Sequence, residues 1–224
     1  MVRAPQRPAA SNSYSYFPIV MLLVKSKYKI AKRLGAGVFE KTQTPKFALA
    51  ESRSPKKFRG GRGGGGDYGR QLLEKQRVRF TYGLSEKQLS NYAHAAFEQA
   101  NPSAALHKEL EMRADNAVYR AGLASTRRAA RQIVSHGHIT VNGTRITTPS
   151  YRLKKGDVIA VREGSRSSAL FASITEKMKE GEVRTSSWVT LDPDLLRAEV
   201  TAEPAFSAGE TGLDYATVFE FYSR

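Results

Sequence analysis

The chain has 224 residues, 40% of them hydrophobic, with 36 Lys and Arg against 21 Asp and Glu, a net charge of +15 and no cysteine. This excess predicts a polyanionic partner, and the missing thiols exclude disulfides and thiolate zinc sites. The longest apolar run, Phe17–Val24, is interrupted by Pro18 and too short to span a bilayer.

The charge is unevenly placed: residues 1–66 carry +12, 67–111 are neutral, 112–163 carry +7 and 164–224 carry −4. Residues 1–26, rich in Ala, Pro, Ser and Arg, read as a disordered extension, and no acidic residue precedes Glu40. Two origins fit it, an organelle transit segment or a misassigned start, since Met21 lies close to where structure is expected to begin. Residues 27–66 read as a basic extended arm with two clusters, Lys27, Lys29, Lys32 and Arg33, then Lys56, Lys57, Arg59 and Arg62. The run GGRGGGG over Gly60–Gly66 ends in Asp-Tyr, not the Gly-Lys-Ser/Thr of a phosphate-cradling NTPase loop. Residues 1–66 are expected to be too poor in apolar surface to offset their ordering entropy, and to become ordered against RNA.

Residues 67–111 read as a helical domain. Asp67–Tyr82 forms one helix, Ser85 and Gln88 make a capping box for the next, and Asn101-Pro102 caps a third running toward Ala121. Residues 112–175 form a distinct module. Thr126 caps a helix that Gly137 ends, with Ala129, Ala130, Ile133 and Val134 on one side and Arg127, Arg128, Arg131, Gln132 and Ser135 on the other. The period then changes to alternation through Ile139 and Val141, and Asn142-Gly143 gives a strong hairpin signal. Asp157–Glu163 reads as a strand buried on both faces. In 176–224, a segment completing the body, the helix Ser168–Lys179 ends and Trp188–Leu191 and Val218–Tyr222 read as strands. The fold class is therefore α+β: a helical N-terminal part, a small module with a helix-turn-helix on a short antiparallel sheet, and a C-terminal strand and helix segment.

A rigid helix presenting guanidinium forks beside a hairpin is suited to the phosphates of folded RNA. His136 and His138 lack a third metal ligand nearby, Asp115 is expected to orient a module arginine, and Trp188 to sit in the core. Tyr68 and Tyr82 can stack on bases or be buried beside Leu72 and Phe80. No nucleophile–base pair or nucleotide motif is visible, so no enzyme activity and no cofactor is expected. An RNA-modifying or free RNA-binding protein that uses the same module is the alternative.

From about Lys27 onward the chain resembles the bacterial-type family of small-subunit ribosomal protein four. The resemblance is densest at Asp67-Tyr68-Gly69 through Arg79, at Asp115-Asn116 through Asn142-Gly143, and at Phe221-Tyr222-Ser223. It implies direct, early binding of small-subunit rRNA at a multi-helix junction of the five-prime domain, in the cytoplasmic ribosome or, alternatively, an organellar one. It also implies contact with ribosomal protein five and with messenger RNA where it enters the subunit, a part in decoding accuracy, and in some members repression of their own messenger. Carried over residue by residue, the implied RNA contacts are Tyr68, Lys75, Gln76, Arg77, Arg79 and Tyr82, then Arg113, Arg127, Arg131, Gln132, Ser135, His136 and Asn142. Many relatives have an N-terminal cysteine zinc cluster, absent here, and a Leu-Ser pair where this chain has Gly65-Gly66.

Overall fold

A helical period in the first half of the chain and strand alternation in the second divide the molecule into a helical body and a sheet-bearing module. The computed structural model describes residues 24, 26–53, 66–179, 185–207, 209 and 212–224. The body contains α1 (Lys27–Leu34), α2 (Pro45–Ser52), α3 (Asp67–Tyr82), α4 (Glu86–Phe97) and α5 (Pro102–Glu111). The module follows with α6 (Ala114–Arg120), α7 (Arg127–Ser135), β1 (Ile139–Val141), β2 (Thr144–Ile146), β3 (Val158–Val161), the single turn α8 (Glu163–Arg166), α9 (Ala169–Lys179), β4 (Val189–Asp192) and β5 (Arg197–Val200). A last helix, α10 (Tyr215–Tyr222), returns to the body. The strands form one antiparallel sheet in the order β2-β1-β3-β5-β4.

The caps behave as the sequence predicts. Ser85 accepts from Gln88 N while Gln88 accepts from Ser85 N, completing the capping box of α4, and Asn101 and Thr126 cap α5 and α7. Four elements differ from expectation. The Asn101 helix does not run on to Ala121 but stops at Glu111 and restarts at Ala114. The break frees Met112 O to accept from Leu153 N (2.9 Å) and Ala114 N to donate to Tyr151 O (2.8 Å), so it stitches the helices to the strand connection. Val218–Tyr222 is helix rather than strand. Asp214 caps it by accepting from Thr217 N at 3.1 Å, and Tyr215, Val218 and Phe219 turn at helical spacing into the body core beside Val78 and Leu89. In β3, Ile159 and Val161 are buried, but Val158 and Ala160 are only half-buried on the opposite face.

The arm is the fourth difference. Residues 27–53 are helical rather than extended, because Ala31, Leu34, Val38, Phe39 and Phe47 make a small core against Leu73 and Phe80 of α3. Arg77 Nε donates to Leu34 O at 2.8 Å, satisfying the end of α1. This stretch does bury apolar surface. The rest of the expectation of order gained on RNA falls on residues 1–23, 25 and 54–65, which lie outside the described residues.

The hairpin is a two-residue loop. Val141 pairs with Thr144, and Asn142 and Gly143 have φ of 49° and 80°, the signs that a type I′ turn requires. A Cβ on Gly143 would meet nothing within 4 Å, so substitution there is limited by backbone conformation alone. Gly143→Val should therefore lower the module's stability by roughly 1–3 kcal/mol, whereas Gly143→Asn should cost much less. Urea unfolding of the two variants checks this, and equal losses would contradict it.

Candidate nucleic-acid interface

Helix α7 carries two polar stripes at i, i+4 spacing. One is Arg127, Arg131 and Ser135; the other is Arg128, Gln132 and His136. Ala130, Ile133 and Val134 are buried in the module core, which fixes the helix's rotation. That rotation turns the first stripe toward the helical body. Arg131, expected to face solvent, is 9% exposed; its Nε donates to Asp115 Oδ2 at 2.8 Å and its Nη2 to Tyr82 O at 3.1 Å. Its Nη1 donates to Gly83 O, so the side chain also caps the carbonyl end of α3, where the helix dipole favours a cation. Arg127 is likewise held inward. Its Nε donates to Asn116 Oδ1 at 2.8 Å, and its guanidinium lies 4.5 Å from the Tyr119 ring centroid and 5.3 Å from that of Tyr82. Its backbone N–H is capped by Glu40 from the arm at 3.2 Å. Ser135 donates to Arg131 O. The outward stripe is thus Arg128, Gln132 and His136; of the polar side expected to face the RNA, Arg127, Arg131 and Ser135 turn inward instead.

Two carboxylates anchor the inward side. Asp115, 4% exposed, accepts a two-pronged contact from Arg113 at 3.0 and 2.8 Å, besides Arg131. The expected pairing of Asp115 with a module arginine is present. Arg113 also donates to Tyr92 O–H, so a residue expected on the RNA is enclosed between body and module. Glu111, 1% exposed, receives Arg120 at 2.7 and 2.8 Å, Asn116 Nδ2 at 2.7 Å and Tyr82 O–H at 2.8 Å. Burial by itself raises a carboxyl's pKa, but the hydrogen bonds and charge of Arg120, with Arg127 and Tyr82, carry Glu111 down to about 2. Tyr82 goes the other way: burial, then the Glu111 charge, hold its phenol protonated as a donor. Tyr82 is therefore structural rather than a stacking platform.

The remaining residues divide in the same way. Lys75 is buried, 2.7 Å from Glu86 and 4.1 Å above the Phe221 ring. Arg77 bonds Glu74 and Leu34 O; Arg79 reaches Leu84 O and Glu86, with Gln76 accepting from it. Asn142 bridges the hairpin to β3 through Asp157 Oδ1 and Val158 N, both at 2.9 Å. Tyr68 is 53% exposed beside Phe221. Lys29, Lys32 and Arg33 are exposed on α1, and Lys27 is close enough to Arg128 and Lys41 that, after burial, their charges lower its pKa. Lys56, Lys57, Arg59 and Arg62 lie outside the described residues.

Sequence reading missed Lys41, Arg145 and Arg162. Burial first, then neighbouring charges that include Arg162 and Arg145, lower the pKa of His138 and favour its neutral imidazole, so the lasting positive charge here is that of the two arginines. His136 and His138 stack at 6.0 Å, and Arg145 folds over Gly137, donating to Gly137 O and His136 O. The hairpin register and the positive φ at Gly137 were the available signals. A Cβ at Gly137 would lie 2.2 Å from Arg145 Nε. Altogether the outward side runs from Lys27 and Lys41 along Arg128, Gln132 and His136 to Arg145 and Arg162, a surface suited to binding phosphate oxygens.

Residues 23–113 match the "Ribosomal protein S4/S9 N-terminal domain" and residues 112–159 the "S4 domain". The small ribosomal subunit protein uS4 of Roseiflexus sp. (strain RS-1) is 40% identical over 200 residues, covering 88% of this chain and 96% of the relative. The chain belongs to the uS4 family of small-subunit ribosomal proteins. The uS4 of Limosilactobacillus reuteri (strain DSM 20016) is 38% identical over 200 residues and that of Halalkalibacterium halodurans 40% over 207, each with the same coverage of both chains.

Arg131→Ala should destabilise the fold by about 3–5 kcal/mol, because it removes one partner of a buried ion pair and uncaps α3. Arg128→Gln, which leaves the buried Asp115 ion pair intact, should cost less stability than Arg131→Ala and should weaken RNA binding. Chemical denaturation paired with RNA titration separates the two, and a stable Arg131→Ala would contradict the inward reading. The depressed pKa of Glu111 stabilises the fold above its unfolded value near 4.5, and that contribution, on the order of 3 kcal/mol, is lost as pH falls toward about 2. Glu111→Gln should be less stable at pH 7 and should flatten the stability profile between those values. A variant profile parallel to that of the wild type would exclude Glu111 as the source.

Proposed function

We propose that the protein is a structural constituent of the small ribosomal subunit that binds small-subunit rRNA directly and early. In this reading it grips a multi-helix junction of the five-prime domain and holds it for later proteins. The observation that carries the reading is the rigid outward stripe Arg128, Gln132 and His136, flanked by Lys27 and Lys41 at one end and Arg145 and Arg162 at the other. Arginine forks at fixed spacing on a packed helix suit recognition of RNA shape through its backbone. Lys29, Lys32 and Arg33 extend this surface onto α1, and Lys56, Lys57, Arg59 and Arg62 would add to it. The inward residues Arg113, Arg127, Arg131 and Tyr82 serve by holding the body and module together, and Lys75 ties α3 to α4 and α10 within the body.

The family resemblance extends the reading to contact with ribosomal protein five, to messenger RNA where it enters the subunit, and to a part in decoding accuracy in the cytoplasmic ribosome. The net −4 of residues 164–224 suits a basic ribosomal neighbour. Binding should be strongly electrostatic. If on the order of 6–10 phosphates are neutralised, affinity for a five-prime-domain transcript should fall roughly 10³–10⁵-fold between about 50 and 200 mM salt. Filter binding across that range is the test, and a flat response would overturn the reading.

A further inference from the structure

The α7 stripe uses one surface of the module; the sheet offers another. Helices α6 and α7 cover one side of the sheet through Val118, Ala130, Ile133 and Val134. Strand alternation sends the intervening side chains to the opposite side. The register there aligns Arg145 of β2, Thr140 of β1, Ala160 of β3 and Arg197 of β5 in one cross-strand row. Neighbouring strands lie about 4.8 Å apart, so the two arginines are rooted about 14 Å from each other with two small side chains between them. The row crosses an open trough lined by Thr140, Asn142, Val158, Ala160, Arg162 and Arg197. Arg166 adds a fourth guanidinium beside it, held by its Nε bond to Val161 O at 3.2 Å. All four arginines are exposed.

The chemistry of the trough selects its ligand. Its lining has no aromatic ring, so it gives bases nothing to stack on. The Thr140 hydroxyl donates to Ala160 O, and Asn142 is bonded to Asp157 and Val158, so these polar groups are engaged within the protein. What remains on offer is the arginine forks, which match phosphate oxygens two at a time. Glu163 is the acidic group in the lining, and Asp192, opposite Arg197 in the register, accepts from the backbone N–H groups of Asp194 and Leu195. The trough is continuous with the α7 stripe, because Arg145 donates to Gly137 O and His136 O at the end of α7 and Arg162 N donates to His138 O at 2.9 Å. An acidic protein segment would meet the same arginines, but continuity with a phosphate-binding stripe favours nucleic acid. We propose that this outer face of the sheet is a second RNA-binding surface, which holds phosphodiester backbone through Arg145, Arg162, Arg166 and Arg197 without reading bases. The proposal rests on the RNA-binding reading above and adds a surface to it.

The test uses the full chain with R162Q/R197Q, R162K/R197K and Arg128→Gln, each titrated with a folded five-prime-domain transcript and with an unstructured single-stranded RNA of about 30 nucleotides. Arg145 and Arg166 are left in place because both also hold backbone carbonyls. R162Q/R197Q should keep the wild-type melting curve. Losing two phosphate contacts should lower affinity roughly tenfold and reduce the slope of log affinity against log salt by about 1.4–1.8. The lysine pair, which keeps the charge, should recover most of the loss. A loss with either RNA supports the proposal, and the arm that shows it identifies the kind of RNA held. Wild-type affinity and slope in R162Q/R197Q, alongside weakened binding by Arg128→Gln, would overturn the trough and leave the α7 reading standing. Unchanged RNA affinity with lost binding to a polyglutamate peptide would overturn it in favour of a protein ligand. Wild-type protein that binds neither RNA would overturn both readings.

Discussion

Two carboxylates four residues apart, Glu111 and Asp115, set the arrangement on which the rest of this molecule depends. They flank the break between α5 and α6, and four arginines converge on the network around them: Arg113 and Arg131 on Asp115, Arg120 on Glu111, and Arg127 through Asn116. Each carboxylate is almost fully buried, which would be costly for an unpaired anion, so the surrounding guanidiniums and hydrogen bonds are conditions of folding. The network is contributed by the body through Tyr82 and Tyr92, by the module through Arg127 and Arg131, and by the arm through Glu40. Three parts of the chain with separate apolar cores are thereby held as one frame.

This division of labour among arginines explains how a strongly basic protein keeps a defined shape. The same residue type, one position apart on α7, either ties two units together or lies along the outward side of the helix. The charges left outside are arranged on a rigid scaffold, so their spacing is imposed by the fold before any ligand arrives. Preorganised spacing favours a partner of matching shape over a merely anionic one.

Much of this was legible in the sequence. The capping box at Ser85, the caps at Asn101 and Thr126, the Asn142-Gly143 turn and the segments Asp67–Tyr82 and Ser168–Lys179 rest on local signals that short-range geometry dictates. Family membership was also legible, because its motifs are strings of particular residues that can be read before the element they form is known. The facing of α7 was not. A helical wheel separates apolar from polar, but it cannot distinguish a polar side turned to solvent from one turned to another part of the same protein. The carbonyls of Tyr82 and Gly83, distant in sequence, join Asp115 in making Arg131 an inward residue. Val218–Tyr222 was misread for a related reason. A short apolar run fits strand or helix equally until its neighbours are known, and its neighbours here are α3 and α4.

The route of the last helix has a kinetic meaning. Gln71 on α3 bonds Glu220 on α10 across a separation of 149 residues, and the body core counts Tyr215, Val218 and Phe219 among its buried side chains. On a translating ribosome, where roughly 5–20 residues are added each second, α3 waits many seconds for its partner. The module, whose strands and helices lie close together in sequence, needs no such delay. Long-range closure is slow relative to local pairing, so the order of synthesis and the order of contact run opposite ways for the body. The arginine frame around Glu111 and Asp115 can form once the chain has passed Arg131, well before α10 emerges. It gives the incomplete body a fixed partner during the interval in which its apolar surface is still uncovered.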